Sequence, residues 1–113
     1  MDWQAVCEVW QRRLRLADWQ VEVDLVRAWD LPTPQSHGCI RIFPDKRMAR
    51  LSLRDPQDYR ADTWLEYDPT RTIIHELLHI YTRTLSLPDT PAARLAEEQM
   101  IHALSEALRG EDL

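Results

Sequence analysis

The residues best suited to chemistry stand together in His75-Glu76-Leu77-Leu78-His79. On a helix, positions four apart lie on nearly one face, about 6 Å apart along the axis. Two imidazoles so placed can hold one zinc ion, each at about 2.1 Å. Glu76 is one step round from His75, which sets its carboxylate beside that ion. From there it can reach a zinc-bound water, whose pKa the ion lowers to about 7, and take its proton. The pattern is H-E-x-x-H, three fixed positions, and it carries meaning only on a helix.

A helix is what the flanking residues predict. Asp68 suits an N-cap and Pro69 a first helical position. Ile73, Ile74, Leu77, Leu78, Tyr81 and Leu85 supply apolar faces, and the helix must end before Pro88. Such a helix is mostly buried, with Tyr81 expected in the core. Its histidines and glutamate then need partners, because a buried polar group without one is costly. The competing reading leaves each histidine bonded to a carbonyl or exposed.

A catalytic zinc takes three protein ligands and keeps one position open. A last helix over about Pro91 to Arg109, stopped by Gly110, offers Glu97 and Glu98, 18 and 19 positions after His79. A turn at Leu87 to Thr90 can fold it back on the motif helix. Its expected core side chains are Leu95, Ile101, Leu104 and Leu108. Glu97 shares that stripe, and Glu98 lies one step round, with Ile101 and His102 beyond it. The stripe alone favours Glu97. For one of the two, an ordinary solvated acid in the first turns, favoured by the helix dipole, is the simpler reading.

The elements before the motif have to position it. Trp3, Val6, Trp10, Leu14 and Ala17 recur at steps of three and four and predict a helix over 2–17, with Asp2 as N-cap. Period-two alternation predicts strands over 19–26, 38–43 and 48–54. Short links make an antiparallel meander the simplest pairing. The whole is an α+β domain: an N-terminal helix, a three-stranded, mostly antiparallel sheet, the motif helix and a C-terminal helix, with no domain boundary. If the strand Ala49 to Leu53 is an edge, an extended peptide can add to it. Residues 55–69 form a long connection without a clear period, a kind often functional. Within it Tyr59 and Tyr67 are candidates to assist an oxyanion. His37, in SHGC, either faces the cleft or is an exposed loop histidine.

Bulk properties narrow the partners. The chain has 113 residues, a formal net charge of −5 and 44% apolar residues, the balance of one globular domain. The acidic total argues against direct nucleic-acid binding. The clusters Arg12, Arg13, Arg15 and Arg47, Arg50, Arg54 read as solvated faces. The start, MDWQAVCEVW, does not resemble a signal peptide, and no stretch approaches the roughly 18 apolar residues of a membrane span. A reduced cytoplasmic setting is expected, with Cys7 and Cys39 as small buried hydrophobes. Five Trp and an apolar first helix leave room for a homo-oligomeric surface.

TIIHELLHIY, followed downstream by EEQMIHALSEAL, resembles the gluzincin-type zinc metallopeptidases. The resemblance is closest to the small ImmA/IrrE-like domains of phage and mobile elements, and it covers about two thirds of the chain. It implies a zincin-like fold and a zinc-dependent hydrolase acting on a peptide or protein. By that likeness His75 and His79 bind zinc, Glu76 is the catalytic base, and the helical alignment puts the third ligand at Glu98. Where the family often carries Asn or Asp four residues later, this chain has His102. His102 is then either a partner to a bound histidine or an extra ligand that closes the site. A closed site would make the domain a non-catalytic, zinc-stabilised interaction or regulatory module of a phage or mobile element.

Overall fold

The computed structural model describes residues 1–33, 36–58 and 67–110. In chain order they form α1 (Trp3–Arg13), β1 (Gln20–Val26), β2 (Gly38–Phe43), β3 (Met48–Arg54), α2 (Pro69–Arg83) and α3 (Pro91–Gly110). Single 3-10 turns stand at Ala28–Asp30, Pro44–Lys46 and Pro56–Asp58. The class is α+β, as the patterning predicts.

Capping fixes the helix starts. The Asp2 carboxylate accepts from the Ala5 N–H at 3.1 Å, and Asp68 accepts from the Arg71 N–H at 3.3 Å. The end of α1 was not legible. The helix stops at Arg13, short of residue 17, because Arg15 turns left-handed with φ 63°. The Leu16 N–H reaches Gln11 O at 2.6 Å and the Arg15 N–H reaches Arg12 O at 3.2 Å. This is a Schellman stop made without glycine. The buried Gln11 carboxamide then donates to Leu16 O and Trp19 O, at 3.2 and 2.8 Å, and ties the turn to the start of β1.

The sheet is mixed, and the meander expectation is corrected. Its order is β1-β3-β2, with β3 parallel to β1 and antiparallel to β2. Only β2 and β3 form a hairpin, through Pro44–Lys46. The interval 27–37 is too long for a tight turn, and in the sheet β3 lies between β1 and β2. β3 is therefore central, with Ala49, Leu51 and Leu53 at 2%, 0% and 0% exposure. It cannot be the edge that receives a peptide.

The two real edges differ. At β1 the Gln4 side chain donates to Val21 O and accepts from the Val23 N–H, both at 2.8 Å. One carboxamide so occupies two outward groups in the middle of β1, the Val21 C=O and the Val23 N–H. At β2 the Arg54 N–H donates to His37 O at 2.8 Å, which makes the pair His37 and Arg54 a hydrogen-bonded one. In that register Cys39, Arg41 and Phe43 face β3. Gly38, Ile40 and Ile42 aim their N–H and C=O groups outward, where no described residue pairs with them.

α1 and α2 cover one face of the sheet, and the core runs through Cys7, Trp10, Leu51, Leu53, Ile73, Ile74 and Leu77. Burial pushes the Cys7 thiol up to about 12, which keeps it an inert hydrophobe. Cys39 is only half-buried, and both cysteines are free. No helix among the described residues is long and apolar enough to cross a membrane.

α3 packs chiefly on α2 and buries little. Only Ile101 and Ser105 are fully covered, while Leu95 is 60% and Leu104 is 44% exposed. The expected core face holds at Ile101, with Leu108 partly buried against the core, and is corrected at Leu95 and Leu104: a helix with one main neighbour hides one narrow stripe. Polar pairs do the rest. Arg71 reaches Glu106 at 2.7 Å and Arg109 reaches Asp68 at 2.9 Å.

Candidate metal centre

α2 turns Ile73, Ile74 and Leu77, each 0% exposed, into the core. The four-residue step then leaves His75 and His79 half-buried on the side that faces α3. Their ring centroids lie 5.3 Å apart. The return through residues 84–90 brings the second turn of α3 opposite them.

There the two glutamates separate. Glu98 sends one carboxylate oxygen to His75 Nε2 at 3.2 Å and the other to His79 Nε2 at 3.0 Å. One ligand atom from each of His75, His79 and Glu98 falls within 4.8 Å of the others. Glu97 takes the opposite side of His79. Its Oε2 lies 3.0 Å from His79 Nδ1 and accepts the Thr82 hydroxyl at 2.6 Å. That hydroxyl is also 3.1 Å from His79 O. Thr82, one turn beyond His79, is a positioning residue that sequence reading missed.

This arrangement suits a cation. A neutral imidazole has one N–H, and Glu97 is placed to accept it from Nδ1. The lone pair of His79 Nε2 then faces a Glu98 oxygen. Two acceptors at that spacing repel unless a proton or a metal ion lies between them. Two imidazoles and one carboxylate are the donor set that zinc takes in catalytic sites. Burial holds the His75 imidazole below its usual pKa, opposed by Glu98, and so favours the neutral, ligating form. The Thr82 hydrogen bond, more than the contact with His79, holds Glu97 below the usual carboxylate range.

Glu76 points inward and is 8% exposed. Burial pushes its carboxyl up to about 7, with His79 pulling the other way. It lines the same cleft of about 990 Å³ as His75, His79 and Glu98. Opposite it runs the start of β2. A Cβ on Gly38 would stand 2.8 Å from Thr72 Cγ2, 2.9 Å from Ser52 O and 3.8 Å from Glu76 Cγ. Only a residue without a side chain lets this strand approach the helix so closely.

The remaining candidates sort as follows. His102 turns to Glu106, 3.9 Å away, with 67% of its side chain exposed, and stands outside the trio. His37 does face the cleft; its ring lies 4.7 Å from that of Tyr67. Burial, then Arg54 and Arg71, keep its pKa low. The Tyr67 hydroxyl is donated to Arg54 O, so it does not point at the trio. Tyr59 lies outside the described residues. Tyr81 is not core: it is 44% exposed and donates to Leu14 O at 2.5 Å.

No family model matches this chain, and no curated protein or solved structure matches it either.

Proposed function

We propose that this protein is a zinc-dependent, metallopeptidase-like hydrolase. The observation that carries the reading is the convergence of His75 Nε2, His79 Nε2 and the two Glu98 oxygens, with buried Glu76 on the same cleft. A zinc ion held by His75, His79 and Glu98 would polarise a carbonyl and lower the pKa of its water to about 7. Glu76 accepts the proton of the attacking water and delivers it to the leaving amine. Glu97 and Thr82 hold the His79 ring so that Nε2 is the ligating atom. Likeness of the HELLH segment to gluzincins supports the same roles.

An extended peptide is the substrate form that fits best. The outward N–H and C=O groups of Gly38, Ile40 and Ile42 offer it a strand to pair with, and Gly38 brings that strand beside Glu76. One feature favours the second reading, a zinc-stabilised module without catalysis: α3 buries only Ile101 and Ser105, so an ion would add much of what anchors it.

One experiment separates the readings. Purified protein is expected to hold one equivalent of zinc by mass spectrometry. Glu98→Ala should lower zinc affinity by at least ~1,000-fold, and Glu97→Ala by about 10- to 100-fold, as for an outer partner. Glu76→Gln should keep zinc and lower cleavage of a denatured protein about 100- to 10,000-fold. Failure to take up zinc ends the proposal. Zinc uptake without cleavage, in native chain and variant alike, leaves the structural module.

A further inference from the structure

The cleft has two unlike ends, and its direction follows from contacts already given. Gly38, at the start of β2, lies against Thr72 and Glu76. Near the far end of α2, Tyr81 bonds Leu14 at the end of α1. Gln11 ties that end of α1 to Trp19, beside Gln20, which pairs with Met48, which pairs with Phe43. So β2 and α2 run side by side in the same direction, with the His75, His79 and Glu98 trio between their ends.

Behind the trio, toward the start of α2, polar groups line the cleft: Ser36, His37, Arg71, His102 and Ser105. Ahead of it Ile40 and Ile42 stand on one side, and on the other Leu85, Leu87 and Pro88 form an apolar stretch flanked in the chain by Arg83 and by the ion-paired Asp89 and Arg94. Leu85 is 58% and Leu87 is 45% exposed. The Leu87 N–H bonds Leu85 O at 2.9 Å, so the two leucines sit on one tight turn. Large aliphatic side chains exposed on a cleft wall, with no described residue covering them, suit a ligand that brings its own apolar surface.

We propose that Leu85 and Leu87 form an apolar subsite that selects extended peptides carrying a large aliphatic side chain three or four residues from the bond attacked. The distance comes from the strand. Glu76 acts at the level of Gly38, and the leucines lie toward Ile42, about 13 Å further at roughly 3.3 Å per residue. A peptide paired with β2 covers that span with three to four residues, and a side chain on its helix-facing side meets the leucine wall. The inference rests on the proposed metal centre, because the ion fixes where the reacting bond sits.

Peptidyl hydroxamates test it, since the hydroxamate anchors on the zinc and no turnover is needed. Two series of Gly/Ser tails, one on each side of the hydroxamate, carry a single Leu at each of the first five positions. Binding to the zinc-loaded chain is read by calorimetry, with acetohydroxamate as the tail-free control. The expected result is an affinity gain of about tenfold when Leu stands at position three or four of one series. That gain should vanish in the Leu85→Ser/Leu87→Ser double variant, while zinc content, melting temperature and acetohydroxamate affinity stay unchanged. Affinity that ignores the position of Leu, or a gain that survives in the variant, overturns the subsite and leaves the metal centre standing. Absence of acetohydroxamate binding to the native zinc-loaded chain sinks the open, catalytic zinc position and this inference with it, and leaves the zinc-stabilised module.

Discussion

The two edges of the sheet are made of the same backbone and finished in opposite ways. At β1, Gln4 supplies one donor and one acceptor, and α1 lies alongside; the Val21–Val23 stretch of the edge is covered by a residue of the chain itself. At β2, Gly38, Ile40 and Ile42 leave theirs unpaired beside the cleft that His75, Glu76, His79 and Glu98 line. An unpaired edge invites association with other chains, and natural proteins usually blunt it. Here one edge is blunted and the other sits beside the groups best suited to chemistry. Under the proposed function, the contrast separates an edge kept from other chains from one left open to a peptide.

The largest expected effect lies on the open side and concerns Glu76. In the metal-free protein its carboxyl is raised to about 7, so the folded chain holds a proton that the unfolded chain releases near 4.5. That contribution is present in full below about pH 4.5 and is lost as pH rises through 7, up to about 3 kcal/mol. Urea midpoints of metal-free native chain and Glu76→Gln, compared at pH 5 and pH 8, should diverge at the higher pH, with the variant the more stable. Parallel curves would mean that the carboxyl is not buried as described.

Gly38→Ala comes next. Its new Cβ would meet Thr72 Cγ2 at 2.8 Å and Ser52 O at 2.9 Å, so strand or helix must shift. A loss of about 2 kcal/mol is expected by chemical denaturation, together with weaker peptide binding. The smallest effect should be at the closed edge. Gln4→Ala removes two hydrogen bonds and should cost about 1 kcal/mol. Sedimentation should then show concentration-dependent association through the bared β1 edge, with zinc affinity unchanged. If Gln4→Ala impairs the metal site as much as Gly38→Ala does, the division of labour between the edges is wrong.

Much of this was legible because the signals are local. Asp68 and Pro69 announce α2, and alternation marks three strands whose bounds agree with the structure to within a residue. HELLH fixes a helix face once the helix exists. What failed was non-local or unmarked. No residue in 19–54 says that β1 runs parallel to β3, since pairing partners are decided by where segment 27–37 carries the chain. Nothing marks Arg15 as a left-handed stop, because glycine is the usual sign. The apolar stripe of α3 points to Glu97, but an inward direction need not lead to the metal. In the structure Glu97 does turn toward α2, but to the back of the His79 ring, while the more exposed Glu98 reaches both Nε2 atoms. Thr82 could have been noticed as a hydroxyl three residues past a histidine on the same helix.

α3 brings one further consequence. It carries Glu98, yet of its 20 residues only Ile101 and Ser105 are fully buried. The carboxylate that completes the trio therefore rides on the least anchored helix of the fold. Such a helix opens by itself more often than the whole chain unfolds. Under the proposed metal centre, capture and release of the ion would proceed by brief local opening, with sheet and α2 intact. Amide exchange should show this as protection in α3 that rises sharply with zinc, while the amides of α2 hardly change.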